Sequence, residues 1–145
     1  MTRNSKDFTL DGSLELRDAG LVSADAASLV DSAAKIIDLG TGRVDFRVII
    51  DMTVVEVATT NEILDIMCQV SSSATFASVV KTVGVLHFPA AAAASGDTDG
   101  TAVGRYELHG CNEQNGVIYR YLRLYEEYTG TIDTGFNFTA WLVKQ

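Results

Sequence analysis

From Arg43 onward the chain alternates. Val44, Phe46, Val48 and Ile50 interleave with Asp45, Arg47, Ile49 and Asp51, so one side of an extended segment is apolar. A period of two sends successive side chains to opposite faces of a strand. Leu64, Ile66, Cys68 and Val70 repeat the pattern, facing away from Asp65 and Gln69. Branched and aromatic residues, which suit a pleated and half-buried surface, dominate these runs. A doubly wound α/β fold would need long amphipathic helices between the strands, and the sequence has none. The chain is therefore expected to be all-β.

More strands follow the same logic. Val54-Val55-Glu56-Val57 continues the first run after a bulge near Met52-Thr53, and Ser71-Ser72-Ser73 is a turn before a run from Phe76 through Val83. Val85-Leu86-His87-Phe88 reads as a further short strand. Pro89 and the alanines 90–94 form the one low-complexity patch, too short to sustain a helix alone because nucleation is costly. Ser95 to Gly100 is an exposed turn, Val103 to His109 a strand, and Gly110 to Gly116 a polar turn. The end of the chain, Tyr119-Arg120-Tyr121-Leu122-Arg123-Leu124-Tyr125 and then Phe136 to Val143, predicts a long antiparallel hairpin. Its loop holds Gly130, Asp133 and Gly135.

Residues 23–37 leave two readings open. Ala26, Leu29, Val30, Ala33 and Ile37 have helical spacing behind a capping Ser23, yet the run continues into Ile36-Ile37-Asp38-Leu39 and the turn Gly40-Thr41-Gly42. In all, about eight short strands with turns between them point to a sandwich, jelly roll or barrel with at most one or two short helices. Residues 1–20 are polar with short alternating pieces, expected as an N-terminal arm or an edge strand, and 21–145 as a single domain.

Charge and composition exclude several roles. A formal charge of −8 with eleven scattered Lys and Arg is opposite to what phosphate-backbone binding requires, so neither nucleic acid nor an anionic membrane is an expected partner. No apolar run approaches the ~20 residues of a membrane helix, and the polar N-terminus does not read as a secretory signal, which suggests synthesis in a cytoplasm. Cys68 and Cys111 lack metal-type spacing and read as two free thiols.

No constellation of catalytic or metal-binding residues is expected, and no cofactor. Asp97-Thr98-Asp99-Gly100 begins like a calcium loop, but positions six and twelve hold Ala102 and Leu108 instead of Gly and Glu. His87 and His109 have no neighbour at ligand spacing, and Ser71, Ser72 and Ser73 have no recognisable base. Glu126 and Glu127 are adjacent on a strand, hence on opposite faces, and cannot flank one bond. Gly40-Thr41-Gly42 precedes a strand, whereas a phosphate cradle opens a helix. Asn137-Phe138-Thr139 is a chance glycosylation sequon. Tyr119, Tyr121 and Tyr125 read as one aromatic face, with Leu122 and Leu124 on the other, so the strand needs a cover on both sides. Arg120 and Arg123, at an odd offset, fall on opposite faces.

Taken together, Ile36-Ile37-Asp38-Leu39-Gly40, the strands around Val44–Val57 and Leu64–Val70, Tyr121-Leu122-Arg123-Leu124, Thr129-Gly130-Thr131 and the terminal Gly135…Ala140-Trp141-Leu142-Val143 resemble the capsid cement (decoration) proteins of short-tailed bacteriophages. The likeness covers loosely residues 20–145. It implies a jelly-roll subunit without enzymatic activity, commonly a homodimer, seated on the outer surface of the virion shell. There it would bridge major capsid proteins after assembly in the host bacterial cytoplasm. The alternative is a carbohydrate-binding jelly-roll module, a host-surface adhesin, resting on the Tyr row and the Asp97–Gly100 loop.

Overall fold

A computed structural model of the chain describes residues 12–21, 23–56, 61–89 and 102–145. After a single 3-10 turn (Gly12–Leu14) the elements are all strands: β1 (Glu15–Arg17), β2 (Ala26–Ala27), β3 (Leu29–Val30), β4 (Ala33–Ala34), β5 (Ile37–Asp38), β6 (Asp45–Val54), β7 (Ile63–Ser71), β8 (Val80–Phe88), β9 (Gly104–Cys111), β10 (Glu113–Gln114), β11 (Val117–Ile118), β12 (Tyr121–Thr129) and β13 (Asn137–Lys144). The first sheet has the order β1-β13-β6-β9; the second runs β2-β12-β7-β8, with β5 sharing the β2 edge of β12. All pairings are antiparallel.

The wrapping follows from this order. With the small β3-β4 and β10-β11 hairpins set aside and β2 and β5 counted as one position, the first, last, third and sixth positions make one sheet. The second, seventh, fourth and fifth make the other. Strands that neighbour in sequence thus fall mostly in opposite sheets, the double Greek-key winding of a jelly roll. The chain is an all-β sandwich, as the alternation predicts.

Between the sheets lies one core. Phe46, Val48, Ile50 and Met52 of β6 and Phe138, Ala140 and Leu142 of β13 face Leu64, Ile66, Cys68 and Val70 of β7 and Leu122 and Leu124 of β12. At one rim Phe88 and Tyr106 close the gap edge-on, with ring centroids 5.1 Å apart. Each fully buried apolar side chain of this size contributes on the order of 1.5–3 kcal/mol, so the core is the main source of stability.

Four expectations need correction. The closing hairpin does not exist: β12 pairs with β7 and β13 with β6, in opposite sheets. The intervening loop crosses the sandwich because both strands already have long antiparallel partners, and Tyr128 and Phe136 pack at the crossing with centroids 5.7 Å apart. Residues 23–37 contain no helix but the short strands β2 to β5, with Asp31 and Ser32 (φ 52° and 66°) making a two-residue turn between β3 and β4. Phe76 to Val79 are not strand; β8 begins at Val80. Nor is Val85–Phe88 separate, since β8 runs unbroken through Gly84 past a register shift opposite Cys68 and Gln69.

Other details agree. The bulge near Met52-Thr53 is present, because Val54 pairs with Asn137 and Met52 with Phe138, leaving Thr53 over. Cys68 and Cys111 are both free. Of the segment read as an arm or edge strand, β1 lies on the edge of β13; residues 1–11 lie outside the described part, as do Val57, the alanines 90–94 and the Asp97–Gly100 loop. Among the described residues no helix is long and apolar enough to cross a membrane.

Candidate functional site

Most buried polar groups fasten distant segments together. Arg17 and Glu126 are 4% and 2% exposed and lie 3.1 Å apart, joining the edge of the first sheet to the inner face of β12. The remaining guanidinium donors go to the carbonyls of Asp18, Gly20 and Phe138, and the group stacks 4.1 Å from the Phe138 ring centre. Glu126 accepts further hydrogen bonds from Ser28 Oγ (2.9 Å) and the Tyr128 hydroxyl (3.1 Å). Burial, and then the Glu126 charge, push the Tyr128 phenol well above its ordinary range. Every member of the pair is satisfied, which is the condition for tolerating a charge inside. A cavity of about 270 Å³ opens beside it, lined by Asp18, Leu21, Ala26 and Leu29 among others.

Two more fastenings have no charge partner among the described residues. Glu56 accepts hydrogen bonds from the backbone N–H groups of Asp133, Thr134 and Gly135 at 2.7, 3.0 and 2.6 Å, fixing the loop that carries β12 into β13. In that loop Gly130 (φ 83°) is irreplaceable, since a Cβ would stand 2.0 Å from the Asn61 carbonyl oxygen. Asn112, fully buried, accepts from the Val44 N–H and donates to the carbonyls of Gly42 and Tyr119.

The sheets differ on their outer faces. On the first, Asp51 holds Arg105 by two hydrogen bonds (2.6 and 2.8 Å), and Glu107 lies 3.4 Å from both Arg47 and His109. Arg105 keeps the Asp51 carboxyl below its usual range. Ile49, between these pairs and beside Trp141 in the register, is completely buried.

On the second, the registers place Ala27, Tyr125, Met67 and Val85 in one row across four strands. Tyr125 and Met67 are half-buried and Val85 is 48% exposed. Arg123, Gln69 and Thr82 form the row on one side; Glu127, Asp65 and His87 form it on the other. Arg123 donates to Gln69 Oε1 at 3.0 Å, and its guanidinium lies 4.4 Å from the Phe76 ring centre and 5.1 Å from that of Tyr125. Phe76 reaches it because the turn after β7 takes a left-handed backbone there (φ 55°).

The residues singled out in the sequence are thus dispersed. Tyr119 is a core residue ahead of β12, so the three-tyrosine face is reduced to Tyr121 and Tyr125 with Arg123 between them. Glu126 and Glu127 do lie on opposite faces, one buried and one exposed. Arg120, outside the strand, holds Asp38 by two 2.8 Å hydrogen bonds. His87 and His109 are exposed and in different sheets, each beside a carboxylate, Asp65 and Glu107. Ser71 Oγ donates to the Ser78 carbonyl within its own turn. Gly40 follows β5 and opens no helix, while Asn137 of the sequon takes a hydrogen bond from the Gly20 N–H at 2.9 Å. Cys68 is shielded by the core, which pushes its thiol up to about 12. Among the described residues no group of three or more His, Cys, Asp or Glu is placed to hold a metal.

Arg17, Glu56 and Asn112 were not anticipated. Glu126 had a legible signal, a charge at the inward parity set by Leu122 and Leu124. No protein-family model matches the chain, and no curated protein sequence matches it.

Proposed function

We propose that the chain is a non-enzymatic structural subunit, a cement protein that binds the outside of a bacteriophage head and bridges its major capsid proteins. The observation that carries this reading is the use made of the buried polar groups. Arg17, Glu126, Glu56 and Asn112 each tie together segments far apart in sequence, so the jelly roll is a braced scaffold. The residues named for their resemblance to cement proteins supply that same scaffold. A subunit that reinforces a pressurised shell needs stiffness first, and attaches through many modest contacts repeated over the lattice, which sum by avidity. The net charge of −8 keeps free copies soluble and suits a basic patch on the shell.

A carbohydrate platform is the weaker reading. Flat stacking on a sugar requires adjacent exposed rings, whereas Tyr119 is in the core and Arg123 divides the other two tyrosines.

The test is direct. Purified protein mixed with heads assembled from the major capsid protein encoded alongside it should co-sediment to saturation. Cryo-electron microscopy should then place its density outside the shell, between capsid subunits. A protein that stays in the supernatant at every maturation state of those heads refutes the proposal.

A further inference from the structure

Five of the six described arginines have a carboxylate partner: Arg17, Arg43, Arg47, Arg105 and Arg120. Arg123 has none among the described residues; Gln69 takes one of its donors, and the guanidinium lies 4.4 and 5.1 Å from the ring centres of Phe76 and Tyr125. Burial lowers its pKa, which marks a cation already partly stripped of water. Two residues beyond Tyr125 on the same outward face stands Glu127, exposed and without a cationic partner among the described residues. One strand therefore presents, in order, a plus charge, a ring and a minus charge, neither charge paired among the described residues. At a rise of ~3.3 Å per residue the two charges are roughly 13 Å apart, too far to meet each other.

Their symmetry supplies a partner. A two-fold axis laid along the row Ala27, Tyr125, Met67 and Val85 turns the face over and exchanges its two polar rows. Arg123 then opposes Glu127 of the partner subunit, twice, and the row of Asp65 lies across from the row of Gln69. The apolar row meets itself at the centre, as an isologous interface requires. Two sheets packed face to face at ~10 Å leave the span that an Arg–Glu pair fills.

We propose that the outer face of the β2-β12-β7-β8 sheet is a two-fold interface with a second copy of this chain, locked by reciprocal Arg123–Glu127 pairs around Tyr125, Met67 and Val85. The interface does not depend on capsid binding and stands or falls separately from it.

Sedimentation velocity in the absence of any capsid reads it out. The parent protein should dimerise, and Arg123→Glu or Glu127→Arg should each weaken the dimer by at least ~30-fold, because one substitution creates two like-charge contacts. The double variant R123E/E127R restores the complement and should recover to within about tenfold of the parent. Val85→Lys, at a position already exposed in the monomer, should weaken the dimer while leaving the thermal melt of the monomer in place. A parent that stays monomeric at about 100 µM overturns the proposal. So do single variants that dimerise like the parent, and so does a double variant that recovers nothing.

Discussion

The two outer faces are built on the same plan and completed differently. Each has an aromatic residue on the strand that neighbours an edge, Trp141 on β13 and Tyr125 on β12, with an aliphatic or thioether side chain beside it, Ile49 or Met67. On the first sheet Ile49 is sealed and the arginines meet acids of their own chain. On the second Val85 and Val80 remain 48% and 38% exposed, and Arg123 and Glu127 face outward unmatched among the described residues. A face that satisfies itself contributes to folding; a face that does not is held ready for something else. The proposed two-fold interface rests on that difference: one side of the sandwich completes its own pairing, and the other leaves Val85, Arg123 and Glu127 open among the described residues.

The largest effect should come from what both faces hang on. Glu126→Ala strands the Arg17 guanidinium among the carbonyls of Asp18, Gly20 and Phe138, and loss of one member of a buried pair costs about 3–5 kcal/mol. The paired replacement Arg17→Met with Glu126→Leu removes both charges and should cost far less, which urea unfolding of the two variants would reveal. Equal losses would mean that the pair supplies net attraction and is not merely compensated.

The next contrast lies between the faces themselves. Ile49→Ala empties a fully buried site and should cost about 2–5 kcal/mol. Val85→Ala, measured on the monomer, should fall within about 0.5 kcal/mol of the parent. If both cost the same, the second face is part of the folding core and the asymmetry is lost.

How much of this was readable in advance depends on the range of the interaction. The parity of Phe46, Val48, Ile50 and of Leu64, Ile66, Cys68 is local, and it placed the inward faces correctly. Strand pairing is not local. Two strands joined by a loop with Gly130 and Gly135 look like a hairpin whether they lie side by side or across a core; what separates them here is that each already has a long partner, β7 or β6, while Glu56 from far upstream fixes the loop between them. Helical spacing in 23–37 misled for a related reason, since those residues dock as short pieces along β12 and its edge decides their shape. Gly84 reads as a break between two runs, whereas the strand continues through it: Val83 is the extra residue of a bulge on β8, and β7 pairs on both sides of it. The unmatched state of Arg123 is the least legible of all, being defined by where the other described acids went.

The smallest expected effect sharpens the view of the peripheral ion pairs. Hydrogen bonds from Arg120, then from the Gly40 N–H, hold the Asp38 carboxyl at about 2, below its ordinary 3.8. A carboxylate held low in the folded state favours folding wherever the unfolded chain would bind the proton more readily. Its contribution is complete above about pH 4 and fades as pH falls toward about 2. Asp51, lowered by Arg105, acts in the same direction. Exposed pairs of this kind contribute little and are screened by salt. Asp38→Asn should therefore leave neutral-pH stability almost unchanged and flatten the acid limb of the stability curve between about pH 4 and 2, most visibly at low ionic strength. The second face offers the contrast. Glu127→Gln should leave the stability of the monomer within about 0.5 kcal/mol of the parent, because Glu127 is exposed and has no cationic partner among the described residues. A monomer that loses as much stability with Glu127→Gln as with Ile49→Ala would invert the contrast between the two faces.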